Sequence, residues 1–157
     1  MEKLSTHFSV WEFERSQTAK RLGISNKMDQ EHKDNAKALC ENVLEPLRKH
    51  LNMPIKISSG FRSVELNKAI GSKSARSQHC KGEAVDIDMD GYYQTSNAEV
   101  FRWLLNNTDF DQIIWEFGDN KNADWIHVSY SKSKEKQRNE ILRAVRTDKG
   151  VEYLKYI

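Results

Sequence analysis

The feature that most constrains this chain is an alternating segment near its middle, residues 84–90. Apolar residues occupy one phase of its period-two pattern and acids the other: Val85, Ile87 and Met89 against Asp86, Asp88 and Asp90. A strand with this pattern buries its aliphatic side chains and presents its carboxylates on the opposite face. Three acids along one face repel one another, so a cation beside them would stabilise the strand.

A histidine, His79, lies seven positions before Asp86, with Gly82 between them. The glycine allows a turn, so His79 can fold back from the preceding loop towards the carboxylate. Residues 125–130 predict another half-buried strand, which carries His127. Two neutral imidazoles and one carboxylate form a zinc site with a fourth position open for water, as in catalytic sites. On spacing alone, it is equally possible that the three residues bind no metal. His79 would then be a loop histidine, His127 a strand histidine and Asp86 a solvated acid.

Five segments, in the same order, match the motifs of one family of peptidases. Residues 58–63 match S-S-G-F/Y-R-S, and residues 66–67 match the L-N that follows it. Residues 77–88 match S-x-H-x-x-G-x-A-x-D-I/V, residues 111–116 match D-Q-L/I-I-x-E, and residues 125–129 match W-I/V-H-V/F-S. In these segments the chain resembles the zinc peptidases of the D-Ala-D-Ala carboxypeptidase family, and an opening H-F-x-x-x-E-F/L stretch at residues 7–13 extends the resemblance over most of the chain. This family is the M15 group, which includes phage endolysins that cut peptidoglycan peptides.

The resemblance implies roles for individual residues. It implies three zinc ligands: His79, Asp86 and His127. Arg62 would pair with a substrate carboxylate or a developing oxyanion, since a guanidinium stays charged and donates two hydrogen bonds in one plane. Ser77 and Gln78, beside the first ligand, are candidate substrate contacts. Asp88 is expected to orient a ligand histidine.

Peptide hydrolysis also needs a general base and acid, because water must lose a proton and the leaving amine must gain one. Two acids compete for this role. Asp124 lies three positions before His127, where many members of the family carry an acid. Glu116 matches the acid of the D-Q-L/I-I-x-E motif, ends a strand expected beside that of His127, and has the longer side chain. We favour Glu116 and keep Asp124 as the alternative.

Composition limits the remaining possibilities. At 157 residues, 38% apolar and 31% charged, the chain predicts a single domain over residues 1–157. A net charge of +2 does not argue for nucleic acid, and no segment has the length of a membrane span. Cys40 and Cys80 are too few for a disulfide framework and are expected to be free thiols. We therefore expect a monomer without nucleic-acid or membrane partners. The N-terminus lacks a signal-peptide pattern, which predicts a cytoplasmic protein that reaches the cell wall through phage-type lysis.

Local patterns predict the other elements. Helices are predicted after capping boxes at 9–12 and 96–99, over 29–51 with a kink or restart at Pro46, and over 64–70. Further strands are predicted at 53–58, 112–117 and 138–146, a rim loop at 72–76, and a terminal helix or tail at 151–157.

The resemblance implies an α+β fold like that of hedgehog and D,D-peptidase domains. In it, a small antiparallel sheet carries the zinc ligands on one face, and helices pack on the other. The implied function is zinc-dependent hydrolysis of peptidoglycan stem peptides or cross-links, as a D-Ala-D-Ala carboxypeptidase or an L-Ala-D-Glu endopeptidase, for example in a phage or prophage endolysin. Two alternatives stay open: a non-hydrolytic, zinc-containing wall-binding module, and a virion-associated protein that penetrates the wall.

Overall fold

The computed structural model describes residues 1–72, 77–92 and 94–156. These residues have an α+β architecture, in which one sheet of six strands packs against helices on one face. The strands are β1 (Ile57–Ser59), β2 (Ala84–Ile87), β3 (Gln112–Glu116), β4 (Trp125–Ser129), β5 (Glu140–Thr147) and β6 (Gly150–Lys155). Their spatial order is β1-β2-β4-β3-β5-β6.

The sheet is mixed, which corrects the predicted antiparallel sheet. Most neighbouring strands are antiparallel, but β3 and β5 run parallel. The end of β4 lies beside the start of β3, where Ser129 pairs with Gln112. The chain leaves β4 there and begins β5 on the other side of β3, where Glu140 also pairs with Gln112. Because β5 starts at the same end as β3, the two strands share a direction.

Six α-helices occur among the described residues, and the first, third, fourth and sixth contribute buried side chains to the core on one face of the sheet. The six helices are α1 (Val10–Glu14), α2 (Gln17–Leu22), α3 (Gln30–Leu39), α4 (Glu45–Leu51), α5 (Val64–Ala69) and α6 (Asn97–Asn107). The capping box predicted at Ser9 and Glu12 is confirmed. At Ser96 only the hydroxyl half forms, and the Glu99 carboxylate instead accepts a hydrogen bond from Thr95. Within the described chain, no helix is long and apolar enough to cross a bilayer.

The predicted helix over residues 29–51 is interrupted, as Pro46 indicated. A π-helical turn, Cys40–Leu44, separates α3 from α4. Pro46 lies in the first turn of α4, directly after the π turn, and has no N–H to continue the regular helical hydrogen-bond ladder into that turn. Leu39 and Leu47, on either side of the π turn, are fully buried, so the restart keeps both helices facing the core.

The core lies between the helices and the apolar face of the sheet. Val85 on β2 and Ile126 on β4 belong to one buried cluster with Phe101 of α6. Asp86 and His127, in the other phase of the same strands, face the opposite side of the sheet. The alternation in the sequence therefore predicted correctly which residues face the helices and which are left for a site.

The C-terminal residues form a β-hairpin, and the predicted terminal helix or tail is wrong. Strands β5 and β6 pair in antiparallel register over Leu142 to Thr147. All six residues of β6 are exposed, and its sequence alternates only over Val151-Glu152-Tyr153, which is too short to predict a strand. Tyr156 anchors the hairpin, because its ring lies 4.8 Å from that of Phe101 and 5.8 Å from that of Trp115.

Gly60 joins the sheet to helix α1. It follows β1, which is shorter than the strand predicted at 53–58. A Cβ at this position would lie 2.8 Å from the Cα and 2.9 Å from the carbonyl oxygen of Phe13. The next residue, Phe61, donates a backbone hydrogen bond of 2.8 Å to the same carbonyl. Glycine is required here because two backbones approach each other closely.

Gly60→Ala is therefore expected to lower the free energy of unfolding by about 2–3 kcal/mol, because a rigid backbone must move to admit the methyl group. Chemical denaturation measures the change. Lys56→Ala, an exposed position just before β1, is the control and should shift stability by less than about 0.5 kcal/mol. An unchanged denaturation midpoint for Gly60→Ala would contradict the close packing of these backbones.

Candidate metal centre

Three elements position the candidate metal ligands. His79 lies in a short 3-10 turn, Gln78–Lys81, just before β2. Gly82 ends this turn with φ of 78° and directs the chain into the strand, as its position in the sequence predicts. Asp86 on β2 pairs directly with His127 on β4. Because directly paired residues point to the same face of a sheet, the carboxylate and the second imidazole lie side by side.

The three side chains converge on one point. His79 Nε2 lies 3.3 Å, and His127 Nδ1 lies 3.2 Å, from the same oxygen of Asp86, Oδ1. The ligating atoms of all three residues lie within 4.8 Å of one another. Two ligands at about 2.0–2.1 Å from a tetrahedral zinc ion are about 3.3 Å apart. The separations around Asp86 therefore match those of a ligand set.

A hydrogen bond on the far side of the His79 ring fixes which of its nitrogens faces Asp86. His79 Nδ1 lies 2.7 Å from the carbonyl oxygen of Gly60. A carbonyl only accepts, so Nδ1 carries a hydrogen, and Nε2 is the ring nitrogen that faces the Asp86 carboxylate. Two electron-rich atoms 3.3 Å apart repel each other unless a proton or a metal ion lies between them. The residues present therefore fit a metal ion.

Electrostatics favour the ligating forms of two of these residues. Burial lowers the pKa of His127, against the opposing effect of its hydrogen bond to Asp86. Burial alone would raise the pKa of Asp86, but His79 and His127 outweigh it and hold that pKa well below its ordinary value. At neutral pH the site thus presents a neutral imidazole and an ionised carboxylate, the forms that bind metal ions.

The two candidate bases lie in different environments. Glu116 ends β3, is only 7% exposed and lines the cleft that contains the three ligands. Burial and the charge of Asp86 raise the pKa of Glu116 to about 8, although Arg62 and Arg146 act in the opposite direction. Asp124 is exposed and does not contribute to the described lining of the cleft. The structure therefore brings Glu116, but not Asp124, to the ligands.

Arg62 supplies a positive charge to the same cleft. Its backbone N–H donates to the carbonyl of His79 at 3.1 Å, which holds it beside the first ligand. Its Nε is buried and has no hydrogen-bond partner among residues 1–72, 77–92 and 94–156. A buried donor without a protein partner is available to an anionic group on a ligand.

The other predicted contacts also lie at the cleft, but with structural partners of their own. The hydroxyl of Ser77 accepts from the backbone N–H of His79 and caps the 3-10 turn. The Gln78 side chain donates to Asp111 Oδ2 at 3.0 Å and accepts from Arg138 at 3.3 Å. Arg138 in turn forms a 2.7 Å ion pair with Asp111. Sequence reasoning missed this network, since Arg138 lies outside every motif.

Asp88, predicted to orient a ligand histidine, instead accepts hydrogen bonds from Asn97 at 3.2 Å and from the backbone N–H of Asp90 at 3.0 Å. Asn97 also donates to the carbonyl of Asp124. Through Asn97, Asp88 therefore stabilises the segment that leads into β4. For His79, the orienting group is the carbonyl of Gly60. A backbone acceptor leaves no recognisable side-chain signal in a sequence.

The ligands open into a cleft of about 720 Å³, within the usual range for small-ligand sites. Its described lining includes three aromatic side chains, Phe117, Trp125 and Tyr153. Residues 73–76 of the predicted rim loop lie outside the described residues, but Ser72 lines the cleft. Among the described residues, the His79, Asp86 and His127 cluster is the one group of this kind that could hold a metal ion.

Fold and site together define an α+β protein with a candidate His-Asp-His metal centre in an open cleft. A model of the peptidase M15 family matches residues 6–129, which include all three of these residues together with Arg62 and Glu116. The chain belongs to the peptidase M15 family, which places it among the enzymes that hydrolyse peptide bonds. No curated protein shows a significant match to the chain.

Proposed function

We propose that this chain is a zinc-dependent peptidase that hydrolyses peptide bonds of peptidoglycan, in stem peptides or in cross-links. The observation that carries the proposal is the convergence of His79 and His127 on Asp86 in a cleft that also holds Glu116. Two nitrogens and one carboxylate oxygen, with an open side towards solvent, are the donor set of catalytic zinc sites. Membership of the M15 family supports the peptidase activity.

The residues of the chain divide the chemistry between them. When bound by His79, Asp86 and His127, Zn²⁺ would supply a Lewis acid that polarises the scissile carbonyl and acidifies water. Glu116 would accept the proton of the attacking water and then donate it to the leaving amine. Its burial supports this role, because a carboxyl with a raised pKa both takes up and releases a proton near neutral pH.

Arg62 would recognise the anionic part of the substrate. In both the D-Ala-D-Ala bond and the L-Ala-D-Glu bond, the residue that supplies the leaving amine also carries a carboxylate next to the scissile nitrogen. A guanidinium beside the ligands suits that carboxylate, or the charge that develops on the carbonyl oxygen. The same side chain therefore serves either of the two bonds.

The protein is expected to release peptides from purified peptidoglycan, and mass spectrometry of the new amino and carboxyl ends identifies the bond. A chelator should abolish release, and added Zn²⁺ should restore it, because the three ligands leave the site inert without metal. Folded, zinc-loaded protein that binds peptidoglycan without releasing peptides would contradict the proposal and favour the non-hydrolytic wall-binding module.

A further inference from the structure

Tyr153 belongs to the C-terminal hairpin, which follows the part of the chain matched by the family model. Strand β6 forms one edge of the sheet, where Tyr153 pairs with Ala144 of β5. Ala144 in turn pairs with Glu116 of β3. Since directly paired residues share a face, Tyr153 and Glu116 lie in one row on the face that carries the ligands.

The residue between them is small. Ala144 is fully buried, and its methyl group is the only side chain that separates Glu116 from Tyr153 along this row. A long tyrosine side chain on β6 can therefore reach across the alanine of β5 towards β3. Consistent with this, Tyr153 lines the same cleft as Glu116 and the three ligands.

The side chain of Tyr153 lies on a well-paired strand and is accessible to a ligand. It is 56% exposed, and its hydroxyl has no hydrogen-bond partner within the described part of the chain. Its strand is held firmly, because β6 pairs with β5 over six residues and Tyr156 packs on Phe101 and Trp115 of the core. A fixed strand that presents an aromatic ring and a free donor to a cleft is well suited to ligand binding.

The phenol of Tyr153 carries its proton at neutral pH, since the ordinary pKa of tyrosine is about 10. Burial and the carboxylates of Glu116 and Asp86 raise the pKa of Tyr153, against the effect of Arg62. The hydroxyl is therefore a hydrogen-bond donor at neutral pH. A peptide offers backbone carbonyl oxygens as acceptors, so the donor has the correct polarity for the proposed substrate.

We propose that Tyr153 is a substrate-contacting residue, whose ring packs against the bound peptide and whose hydroxyl donates a hydrogen bond to one of its backbone carbonyl groups. This inference rests on the proposed function, because it takes a peptide of the peptidoglycan type as the ligand. It assigns to the C-terminal hairpin a part of the substrate site that lies outside the matched region.

Leu154 offers a matched control. It is the next residue of β6, is 49% exposed, and points to the opposite face of the sheet. Truncating Leu154 disturbs the hairpin about as much as truncating Tyr153 does, but removes nothing from the cleft. The experiment therefore compares Tyr153→Phe, Tyr153→Ala and Leu154→Ala in the zinc-loaded protein, with zinc content and thermal stability measured for each.

The probe is the soluble pentapeptide L-Ala-D-Glu-L-Lys-D-Ala-D-Ala, with the D-Glu residue linked through its side chain. Hydrolysis is followed by mass spectrometry, and affinity by calorimetry on each variant combined with Glu116→Gln. We expect Tyr153→Phe to lower kcat/KM and affinity by about tenfold, the usual effect of one lost hydrogen bond, and Tyr153→Ala to lower them further. Leu154→Ala should stay within about twofold of the parent protein, and zinc content should not change.

The parent protein could hydrolyse the peptide while Tyr153→Phe and Tyr153→Ala keep the same kcat/KM and affinity as Leu154→Ala. That result would overturn the inference and leave the proposed function intact. If the parent protein neither binds nor hydrolyses the peptide, the inference fails, and the release of peptides from purified peptidoglycan decides separately whether the proposed function holds. Binding without hydrolysis would refute the proposed activity, and the affinities of the Tyr153 variants would still decide the role of this residue.

Discussion

Asp86→Ala is expected to abolish both zinc binding and peptide hydrolysis. The Asp86 carboxylate lies within 3.3 Å of a nitrogen from each histidine, and without it two neutral imidazoles remain to hold a dication. Removing a group that only orients a ligand already weakens metal binding by about 10–100-fold, so removing the ligand itself should cost more. Competition with a chromophoric chelator measures the affinity, and release of peptides from peptidoglycan measures the activity. His79→Ala and His127→Ala should give the same result.

Asp88→Ala is the control for Asp86→Ala. Both are aspartates in the same phase of the sequence pattern, but Asp88 contacts Asn97 and the backbone of Asp90 instead of the histidines. We expect the Asp88 variant to keep its zinc and to lose only some stability. Zinc retained by folded Asp86→Ala would show that this carboxylate is not a ligand, and zinc lost from folded Asp88→Ala would show that Asp88 supports the metal centre.

Glu116→Gln is expected to keep zinc and to lower kcat by about 10²–10⁴-fold, the usual contribution of a positioned general acid and base. Glutamine has nearly the same shape as glutamate but neither accepts nor donates a proton at neutral pH. Steady-state kinetics on a soluble stem peptide, together with zinc analysis, separate loss of chemistry from loss of metal.

Asp124→Asn tests the alternative base. Asp124 is exposed and lies outside the described lining of the cleft, so we expect turnover within about twofold of the unmodified protein. Full activity in Glu116→Gln combined with a large loss in Asp124→Asn would assign the role to Asp124.

The Glu116 variant should also change how stability depends on pH in metal-free protein. The pKa of Glu116 is about 8 in the folded chain and ordinarily 4.5, so the folded state holds this proton more tightly than the unfolded state does. Stability of the unmodified protein therefore falls as pH rises from about 4.5 to 8, and glutamine removes this loss. We expect the advantage of Glu116→Gln over the unmodified protein to grow by about 3 kcal/mol between pH 5 and pH 7.5. Urea denaturation in the presence of a chelator measures it, and an advantage that does not change with pH would contradict the raised pKa.

Much of the site is predictable because the relevant signals are local. Alternation in residues 84–90 predicts that Asp86 and Val85 point to opposite faces of a strand, and Gly82 predicts the turn that returns His79 towards that strand. These features depend on backbone geometry within a few residues, which the types of neighbouring side chains determine. The strand pattern at residues 125–130 makes His127 a candidate third ligand, and the resemblance to one family connects it to the other two, which no local pattern does.

Other features depend on contacts that local patterns do not encode. The choice between Glu116 and Asp124 follows from the face of the sheet, since both acids lie at the same end of the β3–β4 pair. Glu116 shares the face of His127 and lines the cleft, whereas Asp124 is exposed and lies outside the described lining. The Gly60 carbonyl that orients His79 is a backbone group, which any residue type would supply. The network of Gln78 with Arg138 joins residues sixty positions apart.

The sequence by itself determined the class of fold, the faces of the central strands, the interrupted long helix and the residues that form the candidate metal centre. Only the tertiary structure decided the parallel pairing of β3 with β5, the strand at β6 and the position of Tyr153 in the cleft. Alternation shows which side chains a strand buries, but it does not show which neighbour the strand pairs with or in which direction. Strand β6 is exposed on both faces, so burial does not explain its short Val151-Glu152-Tyr153 alternation, and its place follows from pairing with β5 and from the packing of Tyr156 on the core.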